Sequence, residues 1–274
     1  MKTKHLISAA LALLLACSLP VSAFAAEYDL AEGSVTVIAT ESGQTVTHGS
    51  NAAVPDDAPV IIQSNSETPT ANTVTIKAEE NATANVTLDG VNINTGEYGN
   101  AAVQTTGAGN VTIELDGENT VQSGEDYAGV DKDNTGALVI TNTDEVTEED
   151  PGSLTATGGQ WGAGIGGGKS GPDASNITVT GNAVVTATGG RYGAGIGGGH
   201  AGAGNTGEGE NITIKENAHV TASSQHFGAG IGGGTWGDGS NITISDNAYV
   251  EAVSGRIGAG IGGACNADGS HTTI

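Results

Sequence analysis

Four acidic residues hold the same place in successive repeats of this 274-residue sequence, so they are the first candidates for chemistry. Asp173, Glu208, Asp238 and Asp268 each lie three residues before an Asn or His that opens a strand. In stacked repeats their carboxylates would repel one another at about 5 Å, and a hard cation would relieve that repulsion. The pattern predicts calcium as a cofactor held by these four residues. The alternative interpretation is turn chemistry, in which each acid accepts a backbone N–H.

A second set of side chains could bind sugar. Trp236 lies inside a Gly-rich loop, where an exposed ring can stack on a sugar face. Arg191 and Arg256 belong to a column with Gln160 and His226 that suits polar or acidic sugars. Trp236, Arg191 and Arg256 are therefore the predicted carbohydrate-binding residues. The alternative for the column is a solvated face without a ligand.

The sequence gives little evidence of a catalytic site. The chain carries 31 acidic and 8 basic residues, for a net charge of −23, which excludes a nucleic-acid binder and disfavours an anionic membrane surface. The few basic residues do not cluster as a lyase base would, and acid pairs for glycoside hydrolysis could arise anywhere among so many carboxylates. We predict no catalytic residue and no enzymatic activity. A polysaccharide lyase or hydrolase is the alternative.

Residues 1–26 have the features of a secretory signal peptide. Lys2 and Lys4 precede an apolar run, and Ala23-Phe24-Ala25 offers a small-x-small cleavage site near Ala25 and Ala26. The apolar run is too short for a membrane span. We therefore predict a secreted or cell-surface protein. Lipidation at Cys17 is the less favoured alternative.

The elements that position these residues are repeats. The sequence GAGIGGG begins at Gly162, Gly193 and Gly228, and a fourth copy begins at Gly258 with Ala in its last place. Strand-like blocks begin at Asn176, Asn211 and Asn241, each 17 residues before the next GAG, while the Asn-to-Asn spacing is 35 and then 30 residues. All the length variation therefore lies in one loop, as in a stacked solenoid.

Each repeat predicts one coil of a right-handed parallel β-helix with about 30 residues and three short strands. Apolar residues alternate with period two, which points these inward: Ile177, Val179, Ala183, Val185, Ala187, Ala163 and Ile165. Residues 27–70 would form a cap or irregular first coils, and residues 71–274 the β-helix. Residues 143–151 read as an exposed acidic insertion. We expect the helix to be truncated, because Ile274 falls within a strand block.

Two further features follow from the same alternation. Trp161, Tyr192 and Phe227 stand before successive GAGIGGG copies, and continuing the period backwards points them inward as a buried ladder. Stacking of this row on sugars is the alternative. The glycines that alternate with Ala163 and Ile165 would form a bare outward strip that another surface can approach, or would simply relieve crowding at a coil corner.

Two segments before residue 122 carry a resemblance to a known family. Asn85-Val86-Thr87-Leu88-Asp89-Gly90-Val91-Asn92-Ile93 and the stretch from Asn110-Val111-Thr112-Ile113-Glu114-Leu115 to Val121 resemble secreted carbohydrate-binding β-helix proteins of clostridia and related Gram-positive bacteria, which are akin to pectate lyases. The GAGIGGG repeats resemble those of large surface proteins from the same bacteria. The resemblance covers roughly residues 70–274 and implies binding of polysaccharide and calcium without lyase activity. A structural stalk of a larger adhesin is the alternative.

Overall fold

The computed structural model describes residues 26–143, 152–169, 171, 173–202 and 206–274. The predicted signal peptide, with Cys17, and nearly all of the acidic stretch 143–151 lie outside the described residues. The described residues contain 25 strands, numbered along the chain. None of the described segments is a helix long and apolar enough to cross a membrane. The strands form three sheets.

The nine-stranded sheet consists of β1 (Glu27–Asp29), β5 (Val60–Ile62), β7 (Thr83–Asp89), β10 (Asn110–Asp116), β13 (Leu138–Asn142), β16 (Ala174–Gly181), β19 (Gly209–Ile214), β22 (Gly239–Ile244) and β25 (Gly269–Thr273). The six-stranded sheet consists of β8 (Asn92–Asn94), β11 (Glu118–Gln122), β14 (Ser153–Thr157), β17 (Val184–Gly189), β20 (His219–Ser224) and β23 (Tyr249–Val253). The ten-stranded sheet consists of β4 (Val54–Pro55), β3 (Gly43–His48), β2 (Val35–Thr40), β6 (Val74–Ala78), β9 (Val103–Gly107), β12 (Val130–Lys132), β15 (Ile165–Gly166), β18 (Ile196–Gly197), β21 (Ile231–Gly232) and β24 (Ile261–Gly262).

From β7 onward the chain visits the three sheets in turn, and each strand pairs in parallel with the equivalent strand of the next coil. Ile177 of β16 pairs with Ile212, which pairs with Ile242, so coil spacings of 35 and 30 residues keep one register. Equivalent side chains thus stack into ladders. The predicted all-β parallel β-helix, with three strands per coil, is confirmed.

The core is the inside of this coil. The strands alternate buried and more exposed residues, as β2 does from Val35 to Thr40, because successive side chains point to opposite faces. All the residues predicted to point inward are buried: Ile177, Val179, Ala183, Val185, Ala187, Ala163 and Ile165. Their small and medium size suits a narrow interior.

The first part of the chain combines coil strands with a hairpin. β1 and β5 pair in parallel in the nine-stranded sheet, and β2 pairs in parallel with β6. β3 runs antiparallel to both β2 and β4, and so departs from the parallel pattern of the later coils. This segment therefore contains both coil strands and an added antiparallel edge.

One coil that sequence repeats did not reveal lies just before the regular ones. Val130 pairs with Ile165, and Asp131 pairs with Gly166. The segment 128–133, Ala-Gly-Val-Asp-Lys-Asp, is therefore a diverged copy of Ala-Gly-Ile-Gly-Gly-Gly at 163–168. We call residues 124–137 the diverged coil and residues 159–169, 190–200, 225–235 and 255–264 the regular coils.

The glycines that alternate with Ala and Ile in the first three regular coils, such as Gly162, Gly164 and Gly166, are buried, so the expectation of a bare outward strip is wrong. A Cβ on Gly197 would lie 2.0 Å from the carbonyl oxygen of Gly232, and Gly197 has a φ of +129°. Neighbouring coils approach so closely at this corner that no side chain fits. The alternative, that glycine relieves crowding at a tight corner, is confirmed.

Candidate functional site

An open groove of about 470 Å³ crosses several coils beside the six-stranded sheet. Its floor includes Gly159 and Gly190, and Gly124 holds the same place in the preceding coil, because Gln122, Thr157 and Thr188 pair in register two residues earlier. The lining residues are Gly96, Gln122, Ser123, Glu125, Thr157, Gly158, Gly159, Gln160, Gly190, Arg191 and Gln225. The repeat thus builds a continuous channel from one position of each coil.

Close stacking of the backbone leaves no room for a side chain at Gly159 or Gly190. A Cβ on Gly190 would lie 1.8 Å from the carbonyl oxygen of Gly159, and one on Gly159 would lie 2.0 Å from that of Gly124. The floor therefore carries no side chains, and a ligand can approach the backbone closely.

The walls carry side chains that suit a ligand rich in hydroxyl groups. Gln122, Gln160 and Gln225 each offer an amide donor and an acceptor, Glu125 accepts, and Arg191 donates. The described residues contain two ion pairs, and both use lysine rather than arginine. Among the described residues, the Arg191 guanidinium has no carboxylate partner and lies against the rings of Tyr192 and Phe227.

A stack of aromatic rings borders the groove. The ring centroids of Trp161 and Tyr192 lie 4.3 Å apart at 7°, and those of Tyr192 and Phe227 lie 5.3 Å apart at 12°. The three side chains are half-buried and lie outside the apolar core. The prediction of an inward ladder is therefore wrong: β15 begins only at Ile165, and strand alternation does not continue backwards through the preceding turn.

The stack stiffens one wall rather than serving as a sugar platform. Its rings cover one another's faces, and a sugar needs a free face for stacking. The indole Nε1 of Trp161 donates to Glu125 Oε1 at 3.3 Å, and the Arg191 guanidinium carbon lies 5.3 Å from the ring centroid of Tyr192. These contacts hold two groove side chains against the rings.

The three predicted sugar-binding residues are not brought together. Arg191 lines the groove, whereas Arg256 is exposed further along the same column and does not line it. Trp236 is 58% exposed, which confirms its predicted exposure, but it too lies outside the groove lining. Its ring packs at 5.5 Å on His200, whose ring in turn meets Trp161 edge-on.

The acidic column keeps its register but uses its oxygens on the backbone. Asp173 Oδ1 accepts the N–H groups of Thr206 and Glu208, and Asp238 Oδ1 accepts the N–H of Asp268 at 2.7 Å. In the described part of the chain, no three His, Cys, Asp or Glu side chains are grouped to hold a metal ion. These bonds join residues 30 to 35 positions apart in successive coils and do not close a local turn, and calcium binding stays a prediction.

A second pocket, of about 300 Å³, lies in the diverged coil and was missed by sequence reasoning. Asp131 and Asp133 both face it, and the Gln104 amide donates to both carboxylates. Burial, and then the charge of Asp133, raise the pKa of Asp131, which is 2% exposed. Lys169 stands at the rim, paired with Asp126 at 3.0 Å.

Lys132, between the two acids, points to the inside of the coil. Its ammonium donates to the carbonyl oxygens of Asn134 at 2.7 Å and Gly136 at 2.9 Å. Burial lowers the pKa of Lys132 to about 8. The signal that could have found this site is the alignment of Ala-Gly-Val-Asp-Lys-Asp with Ala-Gly-Ile-Gly-Gly-Gly, in which three glycines become charged residues.

One family model matches the chain, described as a beta helix repeat. It covers residues 152–169, 177–200, 212–235 and 242–265. The matched residues lie in the later coils, and the match agrees with the parallel β-helix fold that the three sheets form. No curated protein and no solved structure matches the chain.

Proposed function

We propose that the protein is a secreted or cell-surface β-helix that binds polysaccharide in the groove and catalyses no reaction. The observation that carries this proposal is the open groove, whose walls present Gln122, Glu125, Gln160 and Arg191 above a floor of glycine. Sugars offer hydroxyl donors and acceptors over their whole length, and side-chain amides, carboxylate and guanidinium match both kinds of group.

The experiment uses the two tryptophans of the chain as separate reporters. Trp161 touches a groove wall through Glu125, whereas Trp236 lies outside the groove. In Trp236→Phe, the fluorescence of Trp161 reports the groove, and in Trp161→Phe, Trp236 reports its own surface. Against a polysaccharide panel, we expect a saturable response in Trp236→Phe with the same midpoint as wild type.

Side-chain variants then assign the response to the groove. We expect Gln160→Ala to weaken binding about tenfold, because loss of one or two hydrogen bonds costs about 1.4 kcal/mol. Thr155→Ala, on the exposed face of β14 and outside the groove lining, is the matched control. A response confined to Trp161→Phe would move the site to Trp236. Silence in both reporters and in a pull-down would leave the structural stalk as the function.

Calcium is part of the same proposal, supported by the register of Asp173, Glu208, Asp238 and Asp268. We expect calcium, but not magnesium, to raise the midpoint of thermal unfolding in proportion to the logarithm of its concentration. Asp238→Asn keeps an oxygen acceptor for the N–H of Asp268, so it removes the charge and little else. Loss of the calcium response in that variant supports the column, and a midpoint that ignores millimolar calcium in wild type removes the ion.

A hydrolase is the second candidate, and one observation favours it. Asp131 and Asp133 share a pocket, and the pKa of Asp131 is raised above its ordinary value, as for a carboxyl group that donates a proton. Release of reducing ends from a bound polysaccharide, abolished by Asp131→Asn, would replace the non-enzymatic proposal with this one.

A further inference from the structure

Resting on the proposed function, we infer that the groove binds a linear, extended glycan that lies along the helix axis with one sugar unit against each coil. The inference concerns the shape and length of the ligand, which sugar binding alone does not fix. It follows from the spacing of the coils, the repeat of the lining residues and the way the groove ends.

The spacing comes from the parallel pairing. β11, β14 and β17 are hydrogen-bonded neighbours in register, so equivalent points of successive coils lie about 4.8 Å apart. That distance is close to the length of one pyranose unit in an extended chain. A linear glycan laid along the axis therefore meets the same surface again at every sugar.

Each coil also offers the same kind of contact. Glu125, Gln160 and Arg191 form one column of lining residues, and Gln122 and Thr157 form a second column three residues earlier in the chain. Between them the floor is bare glycine. On the coils of Glu125 and Gln160, a sugar unit would thus lie beside a polar residue from each column, with the backbone beneath it.

We infer that Gln225 closes one end of the groove. On the coil after Gly190, the floor position is Gln225, since Gly189 pairs with Ser224 one residue earlier. Its exposed side chain stands where the preceding coils have none. Gly96, Gly159 and Gly190 line the groove, and Gly124 is in register between the first two. The groove therefore has room for roughly four sugar units at this coil spacing.

The test measures affinity against chain length. Cello-oligosaccharides and oligogalacturonides of one to seven units are the probes, and titration of Trp161 fluorescence in Trp236→Phe gives each dissociation constant. In the series that binds, we expect affinity to rise severalfold with each added unit up to about four units and then to level off. Gln225→Gly should shift the plateau to longer chains. Gln225→Ala, which keeps a Cβ on the floor, should shift it less.

The outcomes separate this inference from the proposed function. Binding of a long polysaccharide with no dependence on oligomer length overturns the one-sugar-per-coil arrangement and leaves polysaccharide binding intact. A length dependence that continues past seven units, or a plateau that ignores Gln225→Gly, overturns the closed end. Failure of every oligomer and every polysaccharide overturns both.

Discussion

The regular coils and the diverged coil solve the same packing problem with different groups. In the regular coils the chain folds back so that Ala163 N donates to the carbonyl oxygen of Gly167 at 2.9 Å, and Ala194 and Ala229 repeat this bond with Gly198 and Gly233. In the diverged coil the equivalent Ala128 N donates to Asp131 Oδ1, also at 2.9 Å. A side chain has replaced the backbone as the acceptor.

The exchange shows what the glycines are for. A backbone carbonyl group can accept the alanine N–H of the same coil only where the backbone conformation and the contacts between coils leave no room for a side chain. Where Asp131 supplies the acceptor, the chain is free to carry Asp131, Lys132 and Asp133, and a polar pocket opens at the same corner. At this position, a coil therefore carries either the repeated glycines or a charged site.

The largest expected effect comes from putting a side chain into a regular coil. Gly197→Ala places a Cβ 2.0 Å from the carbonyl oxygen of Gly232, at a φ of +129°. Because two stacked backbones must separate, we expect a loss of about 3 kcal/mol or more in the free energy of unfolding. Urea denaturation measures it.

Gly90→Ala is the control for backbone strain without a clash. Gly90 also has a positive φ, +63°, but a Cβ there meets nothing within 4 Å. We expect a loss of about 1 kcal/mol, since a left-handed alanine carries only its own conformational cost. Equal losses in the two variants would mean that coil contact does not dictate glycine.

A smaller effect, dependent on pH, should come from the diverged coil. The raised folded-state pKa of Asp131 means that the folded protein binds more protons than the unfolded chain above about pH 4. The free energy of unfolding therefore falls as pH rises from there through the raised pKa. Asp131→Asn lacks that fall and should be more stable than wild type at pH 8, by about 1 kcal/mol, with the difference shrinking toward pH 4.

Urea denaturation of wild type and Asp131→Asn at pH 4, 6 and 8 measures this difference in the free energy of unfolding. Asn keeps an oxygen for Ala128 N, and it faces the same neighbours, Gln104 and Asp133. Asp126→Asn removes one negative charge from the half-exposed pair with Lys169 and should change stability by less than about 1 kcal/mol. Parallel pH profiles for wild type and Asp131→Asn would contradict the strained acid pair.

The fold was predictable and most of the site, beyond Arg191 and Gln160, was not, for one physical reason. Ile177, Ile212 and Ile242 repeat because a stacked core demands the same residue type at each coil, so sequence similarity reports the ladder directly. The groove depends on what the turns leave uncovered, and the turn before β15 broke the alternation on which the position of Trp161 was predicted. Asp131 was hidden because a site that replaces glycine also erases the repeat that would have revealed it.

The smallest expected effect compares backbone conformation at the residue that precedes the buried Ile or Leu of the nine-stranded sheet, in a coil of regular sequence and at the end of the diverged coil. Asn211 has a φ of +53° and exchanges amide contacts with Asn176 at 3.3 Å and Asn241 at 3.1 Å. Its counterpart in the diverged coil, Ala137, is not among the residues with positive φ and donates its N–H to Asn110 Oδ1.

The preference between alanine and glycine should therefore reverse between these two positions. At 211, Asn211→Gly loses only exposed amide contacts, whereas Asn211→Ala adds a left-handed alanine and should be less stable than Asn211→Gly by about 1 kcal/mol. At 137, Ala137→Gly should instead cost about 0.5–1 kcal/mol relative to alanine, because glycine gains only freedom in the unfolded chain. Urea denaturation of the three variants checks the reversal, and the same order at both positions would show that the two coils share one backbone conformation there.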